Sequence, residues 1–491
     1  MLRAGSSRRS PSPIFIVMAA NPKPRSAPND RELRLWRVGR ALTLAFAAAV
    51  LVSGGVFLSL VVLLDFQEID KTAKLDAKTL FDLVKLSFGV VAGAGALVAL
   101  VVAYRRQRVD EAGAHREATR LHTERFSQAV DKLGSDSPAV RLGGVHALAG
   151  LADDAPEDSL RQTCIDVLCA YLRLPFSPDP GDLPDPLPDG TSPSEERRDA
   201  HQDKKDRHHA FREVRHTILR LIGDHYRIPE GTRRSWQGCN LDLTGVTIDG
   251  NMDFTGAAFS AGSVDFTGAT FSGGEVSFTG ATFSGGEVSF RRTTLSGRLS
   301  FTGATFSGGE VSFRRATLSS SMLSVATATF SGGKVSFAEV AFSGGEVSFD
   351  LAEFSGGTVE FGGAMFSGSA VHFGGSMFSG SVVNLNSAVF SAGSVDFTGA
   401  TFSGGEVYFS GFATFSGGTV PFRNAVFSGG EVSFSGATFS GSEVSFVGAT
   451  FSGSETSFDR ASGPAPDGLL AAASTSVTAT VTLPSTWLPV P

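Results

Sequence analysis

A twelve-residue period runs through residues 254–458, and nearly every copy carries phenylalanine at the same two places. The clearest copy reads Phe266-Thr-Gly-Ala-Thr-Phe271-Ser-Gly-Gly-Glu-Val276-Ser, and Phe278 follows at once. One column runs Phe254, Phe266, Phe278, Phe290, Phe301, Phe313 and on to Phe458. A second lies five residues later, at Phe259, Phe271, Phe283, Phe306, Phe330 and beyond. A fixed period of this length means a solenoid. The recurring residues are structural, which weighs against an enzyme.

Each copy splits into two five-residue units and a Gly-Glu spacer: Val-Ser-Phe-Thr-Gly, then Ala-Thr-Phe-Ser-Gly. Residues two apart on an extended strand share a face. Val276 with Phe278, and Ala281 with Phe283, therefore point to one interior. The Thr-Gly and Ser-Gly pairs supply corners, where glycine accepts left-handed backbone angles. These units resemble the pentapeptide-repeat family over about residues 239–458. That resemblance implies a right-handed, four-sided β-helix. The spacer after every second unit departs from the family pattern.

Packing decides how many copies close one coil. A single copy per coil would crowd two Phe and a Val into a very small loop, and overfilled interiors are costly. Two copies per coil, about 24 residues, place four Phe on four sides. About nine coils at roughly 4.8 Å each give a rod on the order of 40 Å. Leu295, Leu318, Val325 and Leu385 replace Phe and keep the columns apolar. Arg291-Arg292 and Arg314-Arg315 fall in the Thr-Gly corner and belong outside. Phe409-Ser-Gly-Phe412-Ala carries one extra residue and bulges a corner.

Ahead of the repeats, 41–64 is free of charge for 24 residues. A membrane span needs about 20 apolar residues. Leu86–Tyr104 is a second such stretch, with a Gly89-Val-Val-Ala-Gly93 spacing suited to close helix contact. Basic residues precede the first (Lys23, Arg25, Arg31, Arg34, Arg37, Arg40) and follow the second (Arg105, Arg106, Arg108). Flanking positive charge places both termini in the cytoplasm of a plasma or inner membrane. No signal peptide is expected, and Met18 reads as an alternative start.

The resulting order is a disordered basic 1–40, a two-span hairpin at 41–104, and a helical module at 105–173. A disordered linker (174–200), a helix and cap (201–236), the β-helix (237–458) and a tail (459–491) follow. The module has helices at Asp110–Leu133, after Ser137-Pro138, and after Pro156 through Cys164, Leu168 and Leu172. Val140, Val145, Leu148 and Leu151 form its middle stripe. It looks like one HEAT- or armadillo-type unit, and resembles the juxtamembrane module of membrane-anchored bacterial pentapeptide-repeat proteins. Val214, Ile218, Leu221 and Ile222 line one side of the next helix, which docks on the first coil.

Chemistry is sparse. Three cysteines, Cys164, Cys169 and Cys239, exclude a disulfide scaffold, and none forms a CxxC pair. His201, His208, His209, His216 and His225 cluster in one helical stretch without metal-ligand spacing, and read as a solvated helix. Glu275, Glu287, Glu310, Glu346, Glu406, Glu431 and Glu443 share the spacer slot, and alternate ones stack on a solvated edge. No nucleophile elbow or phosphate-binding loop is present. No catalytic, cofactor-binding or metal residue is expected, and no cofactor.

The expectation is a non-enzymatic, membrane-anchored scaffold that shows a cytosolic β-helix to a protein partner. Two alternatives stand beside it. One is a signalling- or transport-associated membrane component, with 65–85 as sensor. The other is the DNA mimicry toward topoisomerases that the family resemblance implies. Residues 251–460 carry 16 acidic against 8 basic residues, so no nucleic acid is expected as partner.

Overall fold

The computed structural model describes residues 77–488 apart from 177–178, 186–191 and 477, with scattered helical positions between 43 and 55. The chain divides into two units, Met1–Ala114 and His115–Pro491. Segment 1–40 and most of the first expected span, 41–64, lie outside the described residues.

Helix α1 spans Ala77–Leu133. The uncharged run Leu86–Tyr104 lies within it, and Leu86, Leu97, Leu100 and Tyr104 are exposed there. Among the described residues no helix is long and apolar enough to cross a membrane. The side chains at 87, 88 and 91 fall outside the description. The described part of the chain thus does not support the two expected spans.

In the second unit, the end of α1 packs with α2 (Pro138–Asp153) and α3 (Asp158–Arg173). Ala129, Leu133, Val145, Leu148, Cys164, Ile165 and Leu168 form their shared core. A Cβ on Gly144 would stand 2.7 Å from Leu133 N, so glycine sets the approach of α2 to α1. Val140, expected in the buried stripe, is exposed. It occupies the first turn of α2, before the contact begins. Helix α4 starts at Glu195 rather than at 201 and runs to Tyr226. The Ser194 side chain caps it by accepting from Arg197 N.

The repeats form a β-solenoid of about 10 turns. Its strands pair in parallel in two sheets of 16 and 14 strands. Consecutive twelve-residue copies alternate between the sheets. Thr282–Phe283 and Glu287–Ser289 lie in one sheet; Thr294–Leu295 and Arg298–Ser300 lie in the other. Two copies therefore close one coil, as the volume of four Phe requires. Phe259 stacks on Phe283, 24 residues on, with ring centroids 4.8 Å apart.

Four apolar ladders fill the interior. One is unbroken Phe: 259, 283, 306, 330, 354, 378, 402, 427 and 451. Leu295 and Leu318 continue the ladder of Phe271 in register. Val276, Phe278, Ala281 and Phe283 are all buried, on the face their spacing assigns. Parallel offset stacking of this kind adds to the area buried by each ring.

Both ends of the stack are covered. At the first coil, Tyr226 of α4 meets Phe254 edge-on at 5.5 Å. At the last, Thr480–Thr482 pairs with Glu455–Ser457, and Trp487 lies 5.8 Å from both Phe439 and Phe458. Short helix α5 (Leu469–Ser474) buries Leu469 beside them. The tail thus occupies the exposed strand edge of the final coil, which would otherwise invite pairing with another chain.

Candidate functional site

Two kinds of corner shape the outer surface. At the Ser-Gly-Gly corner the preceding coil is close: a Cβ on Gly309 would lie 2.3 Å from Gly286 O. At the Thr-Gly corner there is open space around Gly280. Both glycines have positive φ, 68° and 63°. Side chains at left-handed angles are therefore found at the second corner, while Ser321, Ser369, Ser381 and Ser442 enter the Ser-Gly-Gly slot only without a positive φ. Arg292, Arg315, Thr327, Glu339, Leu351, Ser387, Asn424 and Arg460 hold that left-handed slot in deviant copies.

One corner carries the strongest deviations. Gly268 N donates to Arg291 O, Arg292 N to Arg314 O, Arg315 N to Ala338 O, and Glu339 N to Gly362 O. These bonds stack the slots coil on coil. Glu339 accepts from Arg314 Nη2 at 2.6 Å and from Arg315 Nε at 2.7 Å. Hydrogen bonds from Arg315 and then Arg314 hold its carboxyl below the usual carboxylate range. Arg291 and Arg292 are exposed, and no ion pair engages them among the described residues. Further along the same corner, after Ser387, the extra residue of 409–413 pushes Phe412 out to 84% exposure at φ 76°. The bulge falls where the residue count puts it.

The Glu column stacks as alternate copies demand: Glu287 opposite Glu310, and Glu406, Glu431 and Glu455 in succession. Lys334, Arg298 and Met322 interrupt it. Tyr408 donates to Glu406 at 2.9 Å. Burial first, then that bond and the charge of Glu431, push the phenol up to about 12. Among the described residues no group of three or more His, Cys, Asp or Glu converges to hold a metal ion.

The histidines separate to different partners, and two are buried rather than solvated. His225 is stacked on Trp236 at 4.2 Å and faces Asp153. His208 lies against Phe176 at 4.8 Å. His216 meets Asp249 at 3.0 Å, and His201 meets Gly181 O at 3.0 Å. Helix α4 docks on the first coil, which supplies the partner of His216, whereas Phe176 covers His208 and Trp236 with Asp153 covers His225. A Cβ on Gly223 would lie 2.6 Å from Asp253 O. Cys164 and Cys169 are buried, and burial pushes their thiols up to about 11 and about 12.

That docking rests on three aspartates absent from the candidates read in the sequence. Asp242 accepts from Arg173, Asp249 from Arg212 at 2.6 Å, and Asp253 from Arg227 at 2.7 Å. All three lie in the first coil, and their cations come from the helices and the turn after them. The one available signal was that these acids precede the first regular copies.

With four short legs per coil and Phe on each, the repeat unit can be compared directly. Residues 273–317 match the family of pentapeptide repeats, 9 copies. That part of the solenoid carries pentapeptide repeats. Neither the curated proteins nor the solved structures give a match. Pentapeptide-repeat solenoids are a typically non-enzymatic fold, and the large side chains here face the interior.

Proposed function

We propose that this pentapeptide-repeat chain is a non-enzymatic scaffold, anchored in a membrane, whose solenoid is offered to a protein partner in the cytosol. The observation that carries the interaction role is the inside-out division of the repeat. Phe, Val and Ala fill the ladders, and outside stand short hydroxyls. A partner can tell one coil from the next most strongly by the deviant corner: Arg291, Arg292, the Arg314–Arg315–Glu339 clamp, and Phe412. Along this corner an exposed aromatic, Phe412, and arginines without an ion pair among the described residues, Arg291 and Arg292, stand five coils apart, and both residue types are enriched in protein interfaces.

The anchor rests on the uncharged 41–64 and 86–104 runs and on the basic residues that flank them. Exposed Leu97 and Leu100 within α1 suit a lipid-facing surface. The right-handed, four-sided winding comes from the family resemblance. Nucleic acid is no part of this reading, given the acidic excess of the solenoid.

The test is photo-crosslinking from the full chain in its native membrane, with the reactive residue at Arg292, at Phe412, or at Gly280 as control. One common protein captured from the first two positions and not from the third is expected. The same capture from all three, or from none, overturns the corner as the contact surface.

A further inference from the structure

A cleft of about 500 Å³ opens between α2, α3 and α4, away from the repeat corners. Arg141, Lys204, Arg207 and Arg215 line it, with Phe176 and Phe211. Arg215 is 5% exposed. Its Nη2 donates to Thr247 O at 3.2 Å, and among the described residues no carboxylate stands within 4.0 Å of it. Asp249, on the same side, is already taken by Arg212 and His216. Burial depresses the Arg215 guanidinium pKa below its ordinary value, against the pull of Asp249. A buried charge without a counter-charge is costly. Elsewhere the helices give their first-coil arginines a carboxylate each, as at Arg173–Asp242 and Arg227–Asp253.

The other cations share this deficit. Arg141 donates from Nη1 to the Tyr171 hydroxyl at 3.2 Å and from Nε to Ser135 O. No ion pair of Arg141, Lys204 or Arg207 exists among the described residues. Two guanidinium groups are also held against rings. Arg141 lies 4.6 Å from the Phe211 centroid, and Arg215 lies 5.1 Å from that of Phe176. Such stacking fixes the plane of a guanidinium and leaves N–H groups on its edge for a planar or tetrahedral oxyanion. His208 also packs against Phe176, with ring centroids 4.8 Å apart. The adjoining Asp179 accepts from Gly181 N at 2.9 Å, and limits how much negative charge the rim can take.

We propose that this cleft binds a phosphate monoester, with its oxyanion on Arg141, Arg207 and Arg215 and its organic part between Phe176 and Phe211. The dianion matches several converging cations better than a single carboxylate does, and arginine grips such groups at two points. The phosphate can come from a soluble metabolite or from a lipid headgroup, which share this chemistry. The site is independent of the corner surface.

The experiment is calorimetric titration of the full chain in detergent, with two probes. Phenyl phosphate represents the soluble source, and dihexanoyl phosphatidic acid the lipid source; phenol is the uncharged control. One equivalent of at least one phosphate probe should bind, and phenol should not. The probe that binds names the source. Arg207→Gln, at an exposed position, should weaken binding about tenfold or more, the size of one charge-assisted bond. Arg215→Met should abolish binding and raise the melting temperature of the unliganded chain, because it removes an unpaired buried charge. Failure of both probes at millimolar concentration, or binding indifferent to both substitutions, would overturn the proposal.

Discussion

Arg315 and Glu339 hold the same corner slot in consecutive coils, both with left-handed backbone at φ 62° and 58°, and Arg315 Nε donates to Glu339 Oε2 at 2.7 Å. Glycine is the residue expected at such angles, and an L side chain there costs about 1–2 kcal/mol. The slot accepts one because it opens to solvent. At the other corner the coil below fills the space, and every residue with positive φ is glycine. Side chains at left-handed angles are thereby steered to one corner of the repeat, and they mark out its coils.

Gly280→Ala should accordingly cost about 1–2 kcal/mol, the backbone strain alone. Gly309→Ala should cost clearly more, since its Cβ would meet Gly286 O at 2.3 Å. Urea unfolding of the two variants makes the comparison. Equal losses would contradict a difference between the corners.

Each end of the stack carries one capping aromatic residue, Tyr226 at the first coil and Trp487 at the last. Trp487→Ala should cost about 3–5 kcal/mol, the usual range for a buried aromatic. Stability in stacked repeats is a sum of neighbour terms. The loss should therefore appear as faster amide exchange around Phe439 and Phe458, with Phe259 and Phe283 unchanged. Tyr226→Ala should show the reverse pattern.

Acid should loosen the helical module from the first coil. Burial of Asp249 opposes its ionisation, but the bonds from Arg212 and His216 prevail and lower its pKa from 3.8. A lowered folded-state pKa gives stability that is complete above 3.8 and is lost as pH falls through the folded value. Asp249→Asn should lose about 1 kcal/mol at pH 6, allowing for screening of a partly exposed group, and progressively less as pH falls below 3.8. A deficit that persists unchanged at pH 2 would assign the loss to packing.

The thiols report on the same module. Burial places Cys164 near about 11 and Cys169 near about 12, so almost no thiolate exists at pH 8. Iodoacetamide should leave both untouched in the native chain and label them only on unfolding. Cys239, half-buried and also raised by burial, should react first.

Much of the solenoid was legible because its signal is strictly periodic. The Phe columns set the interior face, and their volume set two copies per coil. The extra residue before Phe412 marked the bulge by counting alone. Other features depend on contacts between distant segments. Nothing near Asp249 in sequence shows that Arg212 and His216 will meet it. The histidine stretch looked solvated because Phe176, Asp153 and Trp236, which cover His208 and His225, lie outside α4 in the chain. The two corners carry the same glycine, and only the distance to the preceding coil separates them. Arg141 and Phe211 come from different helices, so their cleft has no local pattern.

The most direct test of an anchored cytosolic scaffold is the topology of the full chain. Reporters that distinguish the two sides of the membrane would be fused after Pro491 and inserted within 65–76. A cytoplasmic signal from the C-terminus, an external signal from 65–76, and resistance of the chain to alkaline extraction are predicted. A C-terminus outside the cytoplasm, or release of the chain by alkaline wash, would contradict it.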